Sequence, residues 1–280
     1  MRFPLLRVAL MSVVLVAPLS AQDLEQRVTE LEQQVRELRR LSTLPNTTLS
    51  EHLRWGSPGG SCTSLDKQYY VTCHDGARRV PEWVSYHLTR ESLQGNASRR
   101  DNFRADQELA AGERSELADY RGSGFDRGHM APAAAFKRSR AAMSATFLLS
   151  NIAPQRPQLN RRIWRRLEAQ VREVAREQGS VWVVTGSLYL DSDDPRRRIG
   201  DRVGVPTHFY KVIFAEPETG ARAMYGFVIP NDSTTIAGEP REYMFTVDHI
   251  EGLAELDFFN LLPEAEERQL ERARSSWPIQ

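Results

Sequence analysis

The sequence contains only two cysteines in 280 residues, Cys62 and Cys73, and they do not form a Cys-x-x-Cys pair. Two thiols so spaced cannot complete a thiolate zinc site, so any metal must be held by oxygen or imidazole. In an oxidising compartment they could pair across a short loop, and otherwise they are two thiols, one of them buried near Val71. Net charge is lacking too. With 37 basic residues against 37 acidic ones, no global field draws a polyanion, and contact with one must rest on locally clustered arginines. Internal repeats are missing, which excludes solenoids and propellers. After the first residues no run approaches the roughly 20 apolar residues of a membrane helix. The hydrophobic share of 40% excludes a disordered chain.

The N-terminus is built differently. Arg2 and Arg7 precede an apolar run from Val8 to Leu19 with no acid among them. This predicts a bacterial-type export signal over 1–21, cut near Ala21, and a periplasmic or extracellular protein; an uncleaved anchor is the alternative. Leu24, Val28, Leu31, Val35 and Leu38 then recur at spacings of four and three. That seam predicts a coiled-coil helix over 22–44 and a homodimer through 24–38, or else an amphipathic helix lying on its own domain. Turn formers mark a linker over 45–54. The remainder divides into one domain, 55–262, and a polar tail, 263–280.

Within that domain, Tyr69–Cys73 and Trp83–Leu88 read as paired strands about the Asp75-Gly76 turn. Residues 95–124 are polar and form a long surface excursion. Phe147–Ile152 reads as a strand and 157–179 as a helix stopped by Gly179. Val181–Gly186 reads as a buried strand, with further strands at His208–Phe214 and Ala223–Ile229 and a short helix at Asp248–Leu256. Strands mixed with few helices predict an α+β fold.

Chemistry concentrates in Phe125-Asp126-Arg127-Gly128-His129-Met130-Ala131-Pro132. An imidazole accepts a proton from water near neutral pH, and a guanidinium grips a phosphate oxygen at two points, so the pair suits phosphodiester hydrolysis. A second group follows in Ser150-Asn151-Ile152-Ala153-Pro154-Gln155, Leu159-Asn160 and Arg166-Leu167-Glu168. Its amide oxygens and carboxylate suit a hard divalent cation. On a helical wheel Ile163, Leu167, Val171 and Val174 form the buried stripe. Asn160 falls within it, and Glu168 flanks it beside Arg161, Arg165, Arg172 and Arg176. Asn160 either caps the helix start or turns its oxygen to a cation, and Glu168 either serves the site or pairs locally with Arg172.

The stretch Ala118-Asp119-Tyr120-Arg121-Gly122-Ser123-Gly124-Phe125-Asp126-Arg127-Gly128-His129, with Ser150–Gln155, Leu159-Asn160, Leu167-Glu168 and Val205-Pro206-Thr207-His208-Phe209-Tyr210-Lys211-Val212, resembles the DNA/RNA non-specific endonucleases. It is nearer to their endonuclease G branch than to the secreted Serratia-type branch. The resemblance implies the ββα-metal (His-Me finger) fold, with a central mixed or antiparallel sheet flanked by helices. It implies a Mg²⁺-dependent endonuclease acting on DNA and RNA, with Mn²⁺ able to substitute, leaving 5′-phosphate and 3′-hydroxyl ends. In that reading His129 is the general base and Asn160 the metal ligand. Asn151 and Glu168 support the metal, Glu168 through its water shell, while Arg127 and Arg172, with Arg100 or Arg104, bind phosphate. Two other functions use the same residues: an envelope-tethered protein that captures DNA, and a phosphodiesterase for smaller substrates.

Overall fold

A computed structural model describes residues 50–190, 197–200, 202–232 and 238–279, together with Arg27. The chain divides into two units, Met1–Thr48 and Leu49–Gln280. The expected signal and, apart from Arg27, the heptad helix lie outside the described residues. The strands and helices named below, and the site residues, belong to the second unit.

The strands are β1 (Thr63–Asp66), β2 (Val71–Asp75), β3 (Val80–Thr89), β4 (Asp126–His129), β5 (Ile152–Gln155), β6 (Ser180–Leu188), β7 (Arg198–Ile199), β8 (Val203–Gly204), β9 (His208–Ala215), β10 (Ala223–Pro230) and β11 (Met244–Phe245). The helices are α1 (Leu117–Tyr120), α2 (Arg140–Ala145), α3 (Arg165–Gln178), α4 (Val247–Ala254) and α5 (Glu264–Arg272). Seven strands make one sheet in the order β1-β2-β3-β6-β9-β10-β11, and every neighbouring pair is antiparallel. β4 and β5 form a separate antiparallel pair. The expected α+β class and antiparallel central sheet are therefore observed.

Because side chains alternate along a strand, β3, β6, β9 and β10 each feed two cores. On one face Tyr86, Val183, Phe209, Ile213 and Phe227 pack with Ile163, Leu167, Val171 and Val174, the expected stripe, and with Trp164 beside it. On the other, Trp83, Trp182, Tyr210, Val212 and Phe214 pack with Val247, Ile250, Phe258 and Phe259 around α4. The sheet thus separates a face that carries α3 from a face that carries α4 and α5. Cys62 and Cys73 are joined as a disulfide, with their Cα atoms 5.4 Å apart.

Three segments differ from their sequence reading. Phe147–Ile152 is not a strand: Leu149–Asn151 is a 3-10 turn, and extended backbone begins only at Ile152. Asn151 is fully buried there, with its side chain bonded to backbone, and this competes with ladder pairing. The helix expected from 157 opens as a π-helical segment, Leu159–Trp164, before α3, and Gly179 ends it at φ 95°. Finally, residues 263–280 include α5 and a packed aromatic rather than only a polar tail. The Trp277 ring lies 5.1 Å from Tyr225 and 4.9 Å from Phe227, and its Nε1 donates to Gln170 Oε1 at 3.1 Å.

Candidate active site

β4, β5 and α3 form one ββα unit, with α2 in the connection between the two strands. Asp126 pairs with Gln155 and His129 with Ile152, and the chain then passes through the π segment into α3. The close approach at Gly128 explains the glycine: a Cβ there would stand 2.2 Å from Gln155 Oε1. Gln155 is itself fully buried, so it has nowhere to go. Alternation along β4 sends Arg127 and His129 to one face and Asp126 to the other.

His129 ends β4 and is 8% exposed. Its ring is walled by Phe103 at 5.3 Å and Phe147 at 4.9 Å. Its Nε2 is buried and takes no protein hydrogen bond. Burial, aided by the positive charges of Arg99 and Arg127 and opposed by Asp101, pushes the imidazole down to about 3. It is therefore a neutral imidazole whose Nε2 has no hydrogen-bond partner among the described residues, and its depressed basicity makes it a weaker proton acceptor than an ordinary histidine. The segment after it is locked by Asn151. The Asn151 carbonyl accepts from Met130 N at 3.0 Å, and its amide oxygen accepts from Ala131 N at 2.8 Å. Its Nδ2 donates to Ala131 O at 2.9 Å and to Thr146 O at 2.8 Å. Asn151 thus acts as scaffold, with both ends of its amide committed to backbone.

Asn160 lies within the π segment. Spacing of i to i+5 breaks the step of about 100° per residue assumed by a helical wheel, and the residue is half-buried rather than central to the apolar stripe. Its Nδ2 donates to Asp126 Oδ2 at 2.9 Å. Arg161 holds the same carboxylate from its other side, Nε to Oδ2 at 2.8 Å and Nη2 to Oδ1 at 2.6 Å. Burial would raise Asp126, but these partners outweigh it and hold the carboxyl below its ordinary range. With the nitrogen fixed, the Asn160 carbonyl oxygen is turned away from Asp126 and takes no protein hydrogen bond among the described residues. Asn160 is therefore tied to the first residue of β4, whereas His129 is the last.

Glu168, two turns along, sits among Lys211, Arg172 and Arg99, and burial pushes its carboxyl up to about 7 against their pull. Lys211 is fully buried, and burial pushes it down to about 8 while Glu168 draws it back up. Arg172 presents a buried Nη1 with no hydrogen-bond partner. Trp164 connects the two halves of the site: its Nε1 donates to the His129 carbonyl at 3.4 Å, and Glu168 follows it one turn later in α3.

The arginines divide. Arg127 is exposed and its guanidinium lies 4.2 Å from the Phe103 ring, beside a cleft of about 370 Å³ lined by Tyr120, Arg121, Phe125 and Asp126. Arg100 lines a separate recess with Asn102, Arg140 and Ser144. Arg104 spends Nη1 on the carbonyls of Asn102 and Ser144 at 3.2 and 2.9 Å. The arginine that acts on both His129 and Glu168 is instead Arg99, which sequence reasoning passed over. Its neighbour Arg100 offered the same side chain, and no periodicity in the 95–124 excursion told the two apart.

The donors that could hold a cation here are the open carboxamide oxygen of Asn160 and the Glu168 carboxylate. Such an all-oxygen set suits a hard divalent ion that keeps much of its water.

Residues 50–265 match the DNA/RNA non-specific endonuclease family. The chain is 38% identical over 225 residues to mitochondrial endonuclease G of Homo sapiens, covering 77% of this chain and 75% of that protein. To the mitochondrial nuclease of Saccharomyces cerevisiae it is 34% identical over 253 residues, covering 81% and 77%. The fold is similar to an EndoG chain in the crystal structure of an EndoG/EndoGI complex, with TM-score 0.72 and 35% identity over 80% of this chain and 96% of that one. These relatives overturn one expectation. They are mitochondrial nucleases, so a bacterial-type signal and a periplasmic or extracellular location do not stand. The charged start and apolar run of residues 1–19 do not by themselves distinguish one leader from another. Among the described residues no helix is long and apolar enough to cross a membrane.

Proposed function

Because the chain belongs to the DNA/RNA non-specific endonuclease family, a family of metal-dependent nucleases, we propose that His129 is the base of its phosphodiester hydrolysis, with DNA and RNA as substrates. The observation that carries this reading is the His129 ring, flanked by Phe103 and Phe147 with the Arg127 guanidinium over Phe103, and with its Nε2 left without a partner among the described residues. His129 takes a proton from the water that attacks phosphorus. As the new P–O bond forms, the bond from phosphorus to the 3′-oxygen breaks and that oxygen is protonated from solvent, leaving 5′-phosphate and 3′-hydroxyl ends. Arg99, Arg127 and Arg172 bind phosphate oxygens, whose negative charge an arginine fork matches.

We assign the cation as Mg²⁺, replaceable by Mn²⁺, with Asn160 as its protein ligand and Glu168 holding its water shell. Bound there, the ion would neutralise charge developing on the phosphate and the departing oxygen. The open oxygen of Asn160 supports this assignment. We further propose a homodimer through residues 24–38.

Nicking of supercoiled plasmid with and without EDTA tests this reading. Wild type is expected to cleave only with Mg²⁺ or Mn²⁺, and His129→Ala about 10²–10⁴-fold more slowly while still binding DNA. Turnover by His129→Ala near the wild-type rate would remove the base assignment.

A further inference from the structure

Three buried polar side chains outside the strands and helix of the ββα unit form a continuous network. They are Lys67 in the turn between β1 and β2, Asp106 in the long excursion, and Ser150 just before β5. None takes part in the proton transfer, the phosphate contacts or the cation's ligand set. The Lys67 ammonium stands 2.7 Å from Asp106 Oδ2, with both side chains 3% exposed, and 3.0 Å from Glu108 Oε1. Ser150 Oγ donates to the same Asp106 oxygen at 2.5 Å. Burial would raise the Asp106 carboxyl, but Lys67 and Ser150 outweigh it and hold it below its ordinary range. Such a buried pair stabilises a fold little more than apolar side chains of the same volume would, because both charges leave water. What it supplies here is a fixed docking point for the excursion. From Gln94 to Ala105 no residue is buried, so Asp106 is the first firm anchorage after Leu93.

That anchorage lies next to the wall of His129. Two residues before Asp106, Arg104 forms a parallel bridge with Leu148. Arg104 N donates to Phe147 O at 3.2 Å, and Leu149 N donates to Arg104 O at 2.9 Å. Phe103 therefore arrives beside Phe147, with ring centroids 4.8 Å apart, and the two rings enclose the imidazole. The Arg127 guanidinium rests over the Phe103 ring. Ser150 is held from the large sheet as well, since its carbonyl accepts from Thr72 Oγ1 of β2 at 3.0 Å. The next residue, Asn151, locks the backbone at Met130 and Ala131. The network thus runs from the first two strands of the sheet to the rings around the imidazole.

We propose that Lys67, Asp106 and Ser150 are positioning residues of the hydrolytic site: their buried network clamps the excursion to the segment before β5 and so holds Phe103 against the His129 ring and the Arg127 guanidinium. This inference rests on the reading of His129 as the base. It goes further by making the β1–β2 turn, and not only the ββα unit, part of the site.

Two readouts test it: the ring-proton NMR shifts of His129, which sense the ring currents of Phe103 and Phe147, and kcat/KM for a single-stranded oligonucleotide. Asp106→Ala is expected to move the His129 shifts towards those of Phe103→Ala and to lower kcat/KM about 10²-fold, the cost of a misplacement of about 1 Å. Adding Phe103→Ala to Asp106→Ala should lower kcat/KM little further, because both remove the same contact. Ser150→Ala keeps the ion pair and leaves no buried lysine unpaired, so it carries the test if Asp106→Ala does not fold. It is expected to move both readouts in the same direction by less. A purely structural network would lower the melting temperature of both variants and leave the His129 shifts, and kcat/KM of the folded fraction, at wild-type values. That result, or additive losses with Phe103→Ala, would overturn the proposal. The shifts report on the wall whichever group is the base. If they move as expected while His129→Ala keeps wild-type turnover, the base assignment falls and the clamp is upheld.

Discussion

Asp126 fixes which end of the Asn160 carboxamide is free. By accepting Nδ2 at 2.9 Å, it leaves the oxygen open, and by holding Arg161 through two further bonds it keeps its own charge in place. The link also pins the start of the π segment to the start of β4. Asp126→Ala should therefore let the amide rotate and raise the Mg²⁺ concentration for half-maximal cleavage about tenfold, the lower range for loss of an outer partner. A metal titration of plasmid nicking measures this, and Arg161→Ala should shift it less.

His129→Ala should lower cleavage by about 10²–10⁴, the usual contribution of a positioned base. The pH behaviour follows from burial. The folded imidazole sits at about 3 against the ordinary 6.5, so in the free protein its carbon-proton NMR shifts should stay those of the neutral ring throughout the neutral range. Stability has a definite sign as well. Below the ordinary histidine range the unfolded chain takes up a proton that the native chain refuses, so this site favours folding less as pH falls from 6.5 towards the folded value. His129→Gln should remove that part of the acid sensitivity, seen as a smaller fall in melting temperature.

Arg99→Ala is expected to cost more activity than Arg100→Ala, since Arg99 acts on both His129 and Glu168 while Arg100 lines a separate recess. If Arg99 grips phosphate, its loss should also reduce the salt slope of DNA binding by about one. Equal slopes for the two variants would leave Arg99 as a purely electrostatic neighbour.

Glu251 on α4 and Glu271 on α5 make stability depend on pH in the opposite direction. With Asp257 they lie within 4.8 Å of one another. Burial first, then the surrounding acids Asp257, Glu267 and Asp248, push Glu251 up to about 8 and Glu271 up to about 7. The native chain thus keeps protons that the unfolded chain gives up, and stability is lost as pH rises from the ordinary value of 4.5 to about 7 and 8. Glu251→Gln should flatten the fall in melting temperature over that interval.

Trp277→Ala should destabilise the protein by about 2 kcal/mol, for a partly buried aromatic that loses two ring contacts. Chemical denaturation would measure this, and an unchanged midpoint would mean that the final residues contribute nothing to the core.

The sheet was legible because each of its long strands is a run of β-branched and aromatic residues, as in Val181–Val184 and Phe209–Phe214. The site motif was legible because His129, Asn160 and Glu168 stand at fixed spacings in recognisable surroundings. Other features had weaker signals. The π segment has no composition of its own. Trp277 packs through ring contacts that follow no period. Asn151 reads as support for the metal within an apparent strand, because nothing in its surroundings tells that both ends of its amide are taken by backbone. Lys211 did leave a trace, as one cation in an otherwise apolar strand.

The contact between Gly128 and Gln155 sets a limit on how this nuclease can diverge. With a Cβ at 128 placed 2.2 Å from a fully buried amide, the gauge between β4 and β5 admits no side chain without moving the strand that ends in His129. Change in substrate preference must then come from positions that leave this spacing untouched, such as Arg127 beside its cleft or the long excursion that carries Arg99 and Phe103.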